Sequence, residues 1–283
     1  MTAESVSLAE SPSGKDAAYE NFPVGSWILP ADLRPHIATF YHYARAIDDI
    51  ADSPKLDPGE KIARLDGFKS AIEGYDTENP AFAKAHAMRR SLNETGTNPQ
   101  HCIDLIAAFK QDAIKRRYED WNDLMAYCLL SASPVGRYLV DLHGGSANGY
   151  GPSDSLCNAL QVINHVQDCQ DDYRSLDRVY LPLSWIEAER LSVVDLDKAA
   201  SSAGIRRVLD RTLDETETLL LDAVRLPKGL ASRRLSIESA AILNIAWSLV
   251  DRLRREDPLA GRIQLNKAEY LWCCIRGAVS ALV

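Results

Sequence analysis

Residues 33–52, LRPHIATFYHYARAIDDIAD, decide how this chain folds. Leu33, Ile37, Phe40, Ala44 and Ile47 recur at spacings of three and four, the period of an amphipathic helix and not of a strand. At about 100° per residue, Tyr41, Arg45, Asp48 and Asp52 leave that helix from one narrow face, which presents an aromatic hydroxyl, a cation and two carboxylates together. Asp32 stands where an N-cap is expected, and Ser53-Pro54 should stop the helix.

A second stretch repeats the pattern more than a hundred residues later. Gln161, Asn164, Asp168 and Asp172 fall on one stripe of a helix that Pro152 and Asp154 are expected to open. Asp49 and Asp171 point about 80° away from their stripes and rank lower. Both acid groups are expected in C-terminal turns, where the macrodipole disfavours anions and a bound cation would reverse the penalty. Magnesium suits such a set, because it takes oxygen ligands and shares its shell with water and substrate phosphates. The alternative reading is a pair of solvated acidic helix ends.

The rest of the chain reads as all-α, a single domain spanning 17–283 behind a loose N-terminal tail at 1–16. Helices are expected from near Glu60, at about 80–94, 99–116, 200–224, 231–256 and 266–282, with Lys228-Gly229 as a loop. From Trp121 to Leu142 a helix is interrupted at Ser131-Ala132-Ser133-Pro134-Val135-Gly136. Arg137 follows the break, placed either to reach a phosphate or to form an ion pair.

The six Cys residues form no CxxC pair, so reduced thiols in the cytoplasm are expected, and Cys169 reads as a packing residue. The six His residues show no zinc-type pairing, although His42 and His165 adjoin the acidic stripes. A net charge of −8 and the lack of any Lys/Arg run argue against nucleic acid as a partner. No window resembles a signal peptide or a membrane span, which leaves a cytoplasmic protein with room for peripheral contact at the inner membrane. No GxGxxG or Walker loop is present, and NADPH is not expected.

Tyr41, Arg45, Asp48, Asp49 and Asp52, with Gln161, Asn164, Asp168, Asp172 and Arg178-Val179-Tyr180-Leu181-Pro182, closely resemble the squalene/phytoene synthase family. The resemblance runs from about residue 19 to 275. It implies a single-domain all-α isoprenoid synthase whose two acidic motifs face a central apolar cavity and bind magnesium and diphosphate. It makes Asp48, Asp52, Asn164, Asp168 and Asp172 metal ligands and puts Arg45 and Gln161 near the diphosphate. Tyr41 and Tyr127 are placed by the reacting carbons. Phe22, Arg137, Arg178 and Arg262 fall on the substrate side.

Within the family, the segments around Asn21-Phe22-Pro23 and from Tyr127 to Arg137 are most similar to bacterial members of hopanoid pathways. Condensing members carry a diphosphate-binding lysine where Glu20 stands here, and a carboxylate there repels a diphosphate. The resemblance therefore implies an enzyme that receives presqualene diphosphate ready made, ionises it with magnesium and adds water to give hydroxysqualene, alongside pathway enzymes upstream and downstream. A prenyltransferase condensing two prenyl diphosphates is the nearer alternative. A non-catalytic helical interaction module is the farther one.

Overall fold

The computed structural model describes residues 28–280. Phe22, Glu20 and the expected tail at 1–16 lie outside the described residues. Three-quarters of the chain is helical, and among the described residues extended pairing is limited to one isolated bridge, Arg117 with Val179. The chain divides into two compact units, Met1–Ile114 and Lys115–Val283.

In the first unit α1 (Arg34–Asp52), α2 (Pro58–Glu73), α3 (Ala83–Thr95) and α4 (Gln100–Ile114) pack together, α1 lying against α3 and α4 and α2 against α4. The apolar stripe of α1 is the reason: Ile37, Phe40, Tyr43, Ile47 and Ile50 are all buried, and burial of each such side chain stabilises by roughly 1.5–3 kcal/mol. Tyr43 satisfies its hydroxyl by donating to the Cys102 carbonyl at 3.0 Å. The helix ends at Asp52 before Ser53-Pro54, as the sequence requires. Its start differs, because Leu33 is the N-cap without a side-chain bond and Pro35 sits in the first turn, so Asp32 does not cap it.

The second unit holds α5 (Trp121–Ser131), α6 (Ser133–Leu142), α7 (Tyr150–Gln167), α8 (Cys169–Leu176), α9 (Leu183–Ala188), α10 (Ala203–Ala223), α11 (Leu226–Gly229), α12 (Arg233–Arg255) and α13 (Lys267–Ser280). α7 is central, covered by α6, α10 and α12, while α12 carries α13. The break between α5 and α6 falls at Ala132, and Pro134 lies in the first turn of α6. Lys228-Gly229 belongs to the single turn α11 and is not a loop; Pro227 in its first turn preorganises the backbone. α7 begins at Tyr150, two residues ahead of Pro152, because a 3-10 turn at Ala147–Gly149 leads directly into it.

Candidate active site

On α1 the predicted stripe is real: Tyr41, Arg45, Asp48 and Asp52 are all half-buried, whereas Asp49 beside them is buried. Arg45 holds two acids, with Nη1 3.0 Å from Asp48 Oδ2 and Nη2 2.6 Å from Asp49 Oδ1. Asp48 is nevertheless short of positive charge. Desolvation and then the like charge of Asp52 push its carboxyl well above the usual carboxylate range, Arg45 only partly opposing them.

Two contributors escaped the sequence reading. Asp112 on α4 is buried and adds to the negative field at Asp48. Lys61 of α2 is buried and donates from Nζ to the Ala51 carbonyl at 2.7 Å, placing a cation at the C-terminus of α1. A lysine in register with the buried Leu65, Phe68 and Ile72 was the available signal.

The second stripe lies on two helices rather than one. Asp168 ends α7 and is the N-cap of α8, with φ −102° and ψ 9°. The stripe survives because the i→i+4 ladder continues through the junction, Asp168 N–H donating to Asn164 O at 2.9 Å and Asp172 N–H to Asp168 O at 2.8 Å. Gln161, Asn164, Asp168 and Asp172 are half-buried and Asp171 is exposed. The expectation that both acid groups occupy C-terminal turns holds for α1 and for Asp168 at the end of α7, but not for Asp172. Asp172 stands in the first turn of α8, where the helix dipole favours an anion.

Around this stripe the structure gathers residues distant in sequence. Tyr127 is buried against Tyr118, Tyr180 and His165, with ring centroids 5.2, 5.5 and 6.1 Å away. His165 lies 3.1 Å from Gln161 Nε2 through its own Nε2. Burial, and then the charge of the buried Arg178, pushes its imidazole down to about 3. His165 is thus neutral at physiological pH, as its bond to an amide N–H requires. Arg137 takes the ion-paired option, forking onto Asp154 through Nε at 2.8 Å and Nη2 at 2.6 Å. Arg262 is exposed next to Ile263, whose carbonyl accepts from Gln167 Nε2 at 2.5 Å and ties that link to the end of α7.

All six Cys residues are free. Cys169 is buried, and its thiol is pushed up to about 12, so it packs as a neutral group. Among the described residues no group of three or more His, Cys, Asp or Glu side chains is arranged to hold a metal ion by itself. Spaced carboxylates and amides on half-buried faces suit instead an ion that completes its shell with water and phosphate oxygens, the habit of magnesium.

The helical architecture of the described residues is shared with solved isoprenoid synthases. The crystal structure of squalene synthase HpnC from Alicyclobacillus acidocaldarius superposes with a TM-score of 0.71 and 29% identity, over 82% of this chain and 87% of that one. A dehydrosqualene synthase with bound ligand gives a TM-score of 0.77 at 16% identity over 92% of this chain and 91% of its own, a likeness of fold. The protein has the all-α isoprenoid synthase fold.

The family model for squalene/phytoene synthases matches residues 16–269, and the chain belongs to that family of enzymes that process isoprenoid diphosphates. It is 40% identical to a hydroxysqualene synthase of Rhodopseudomonas palustris over 94% of this chain and 90% of that one. A hydroxysqualene synthase of Zymomonas mobilis is 37% identical over 99% of this chain and 94% of its own. No helix among the described residues is long and apolar enough to cross a membrane.

Proposed function

We propose that this chain ionises presqualene diphosphate with magnesium and captures the rearranged carbocation with water, giving hydroxysqualene and diphosphate. The observation that carries the reading is the desolvated Asp48 carboxyl held one turn from Asp52, a site whose field calls for a further cation, in a chain 40% identical to a hydroxysqualene synthase.

In this reading Asp48, Asp52, Asn164, Asp168 and Asp172 ligate the metal. Bound magnesium supplies Lewis-acid neutralisation of the leaving oxygen, a contribution of several kcal/mol to ionisation. Arg45 fixes the orientation of Asp48 and adds positive charge near the departing diphosphate. Gln161 and Arg178 act on the same anion. The buried cluster of Tyr118, Tyr127, Tyr180 and His165 backs the second stripe and excludes bulk water on that side. Tyr41 lies beside the reacting carbons. No hydride donor is called for, because the product is an alcohol. The protein works in the cytoplasm with peripheral contact at the inner membrane, between the enzyme that makes presqualene diphosphate and the one that consumes hydroxysqualene.

The test supplies the full chain with presqualene diphosphate and magnesium, without NADPH, and identifies the C30 product by mass spectrometry. Hydroxysqualene is expected. Unconverted substrate in the presence of folded protein overturns the reading, and a C30 product from farnesyl diphosphate alone makes the chain a condensing prenyltransferase.

A further inference from the structure

Ser131 closes α5, and its Oγ is shut off from solvent without a hydrogen-bond partner among the described residues. A buried hydroxyl left in this state is unfavourable, and alanine in its place would avoid the penalty. Such groups mark berths for an ordered water or a substrate atom.

Its place along α7 follows from two contacts. Tyr127 of α5 meets His165 of α7, with ring centroids 6.1 Å apart. Farther along the chain, Ser133 Oγ donates to Asn158 Oδ1 at 2.9 Å. Numbers rise on one side while they fall on the other, so the two segments run antiparallel and Ser131 lies level with Gln161. Ser131 is one turn beyond Tyr127 and shares the face that Tyr127 turns toward α7.

Gln161 is oriented by His165. The 3.1 Å approach of the two Nε2 atoms is a hydrogen bond only when the imidazole nitrogen is bare and the amide N–H donates to it. That bond uses one of the two amide N–H donors, leaving the other for the diphosphate, and turns Oε1, an acceptor, away from the imidazole.

We propose that Ser131 Oγ and Gln161 Oε1 accept the two hydrogens of the water molecule that captures the carbocation. The assignment rests on the hydroxysqualene reading above. A water held by both of its O–H groups shows its lone pairs in the remaining direction, toward the cation, and is neither free to tumble nor able to act as an acid there. Its oxygen forms the C–O bond to the ring-opened cation, and the resulting oxonium loses its proton to an oxygen of the released diphosphate. Nothing is oxidised or reduced. Ser131 is a water-positioning residue, and His165 positions Gln161.

The experiment compares the full-length wild-type chain, S131A and S131T, each given presqualene diphosphate and magnesium without NADPH, with products resolved by gas chromatography and mass spectrometry and the Tm of each protein measured. Loss of one hydrogen bond to the water lowers the ratio of alcohol to elimination hydrocarbons by about tenfold in S131A. S131T, which keeps a hydroxyl, restores the ratio. The Tm of S131A stays at or above that of the wild type, because the hydroxyl removed has no protein partner.

A wild-type alcohol share in S131A overturns the proposal, and so does a fall of several degrees in its Tm, which would reveal a structural partner. A wild-type chain that makes no alcohol sinks the parent reading and this one with it. Wild-type alcohol formation with an unchanged S131A ratio sinks this one only.

Discussion

His165 lies face to face with Tyr180, ring centroids 3.6 Å apart and 13° from parallel. The pair joins α7 to the segment that follows α8, and Tyr180 in turn stacks on Tyr118 at 5.3 Å. His165→Ala removes both the stack and the acceptor for Gln161, and is expected to cost about 2–4 kcal/mol. His165→Phe keeps the stack and is expected to lose less than about 1.5 kcal/mol. Urea midpoints measure both, and equal losses in the two variants would refute the role given to the stack.

Asp48→Asn should separate function from stability. The substitution removes a desolvated negative charge that Asp52 opposes, while Arg45 keeps its 2.6 Å bond to Asp49. The apo protein is expected to melt about 2–4 °C higher, corresponding to about 1 kcal/mol at this chain length. Turnover of presqualene diphosphate should fall by at least about 100-fold, since removing one electrostatic stabiliser of a transition state typically costs that much. Calorimetry and product assays give the two readouts, and a lower apo Tm would contradict the electrostatic argument.

Asp257 sets an acid limit. Burial raises its carboxyl, but the Ser201 hydroxyl at 2.6 Å, the Ser201 N–H at 2.7 Å and the Leu259 N–H at 3.1 Å, with Arg206, more than offset this and hold it below the ordinary value. A depressed folded-state pKa contributes stability that is fully present above the unfolded pKa of about 3.9 and is lost as pH falls through the folded value. The stability gap between wild type and D257N should be constant above about pH 5 and close as the pH is lowered past the folded pKa. Denaturant titrations across pH test this, and a gap that widens on acidification would reverse the assigned sign.

Gly277 is where α13 crosses α12. A Cβ added there would come within 2.4 Å of the Ala241 backbone N and Cα and 2.6 Å of Ala240 C. Alanine in mid-helix ordinarily gains about 1 kcal/mol over glycine, but backbone atoms cannot yield as a flexible side chain can. Gly277→Ala is expected to destabilise by about 1–3 kcal/mol and to raise hydrogen exchange in α13 first. Tm and exchange mass spectrometry check it; a stabilised variant would show that α13 shifts freely.

Much of this molecule was legible in one dimension. The α1 stripe was read from spacing because a helix converts residue number into angle, and Tyr41, Arg45, Asp48 and Asp52 proved to share one half-buried face. The same arithmetic found the second stripe but not the junction at Asp168, since a turn that preserves the i→i+4 ladder leaves the periodicity intact. Lys61 and Asp112 were missed because each looks, in sequence, like one polar residue on an apolar face.

Spacing and residue type along the chain already specify a helical fold and two acidic stripes, because periodicity and side-chain chemistry are local properties. It takes the folded chain to pair Arg137 with Asp154, to lay a neutral His165 ring against Tyr180 and to bring Ser131 level with Gln161. Those facts join residues 15 to 30 positions apart or belong to burial, and energies of burial and pairing depend on what the fold brings near, which spacing along one helix does not encode.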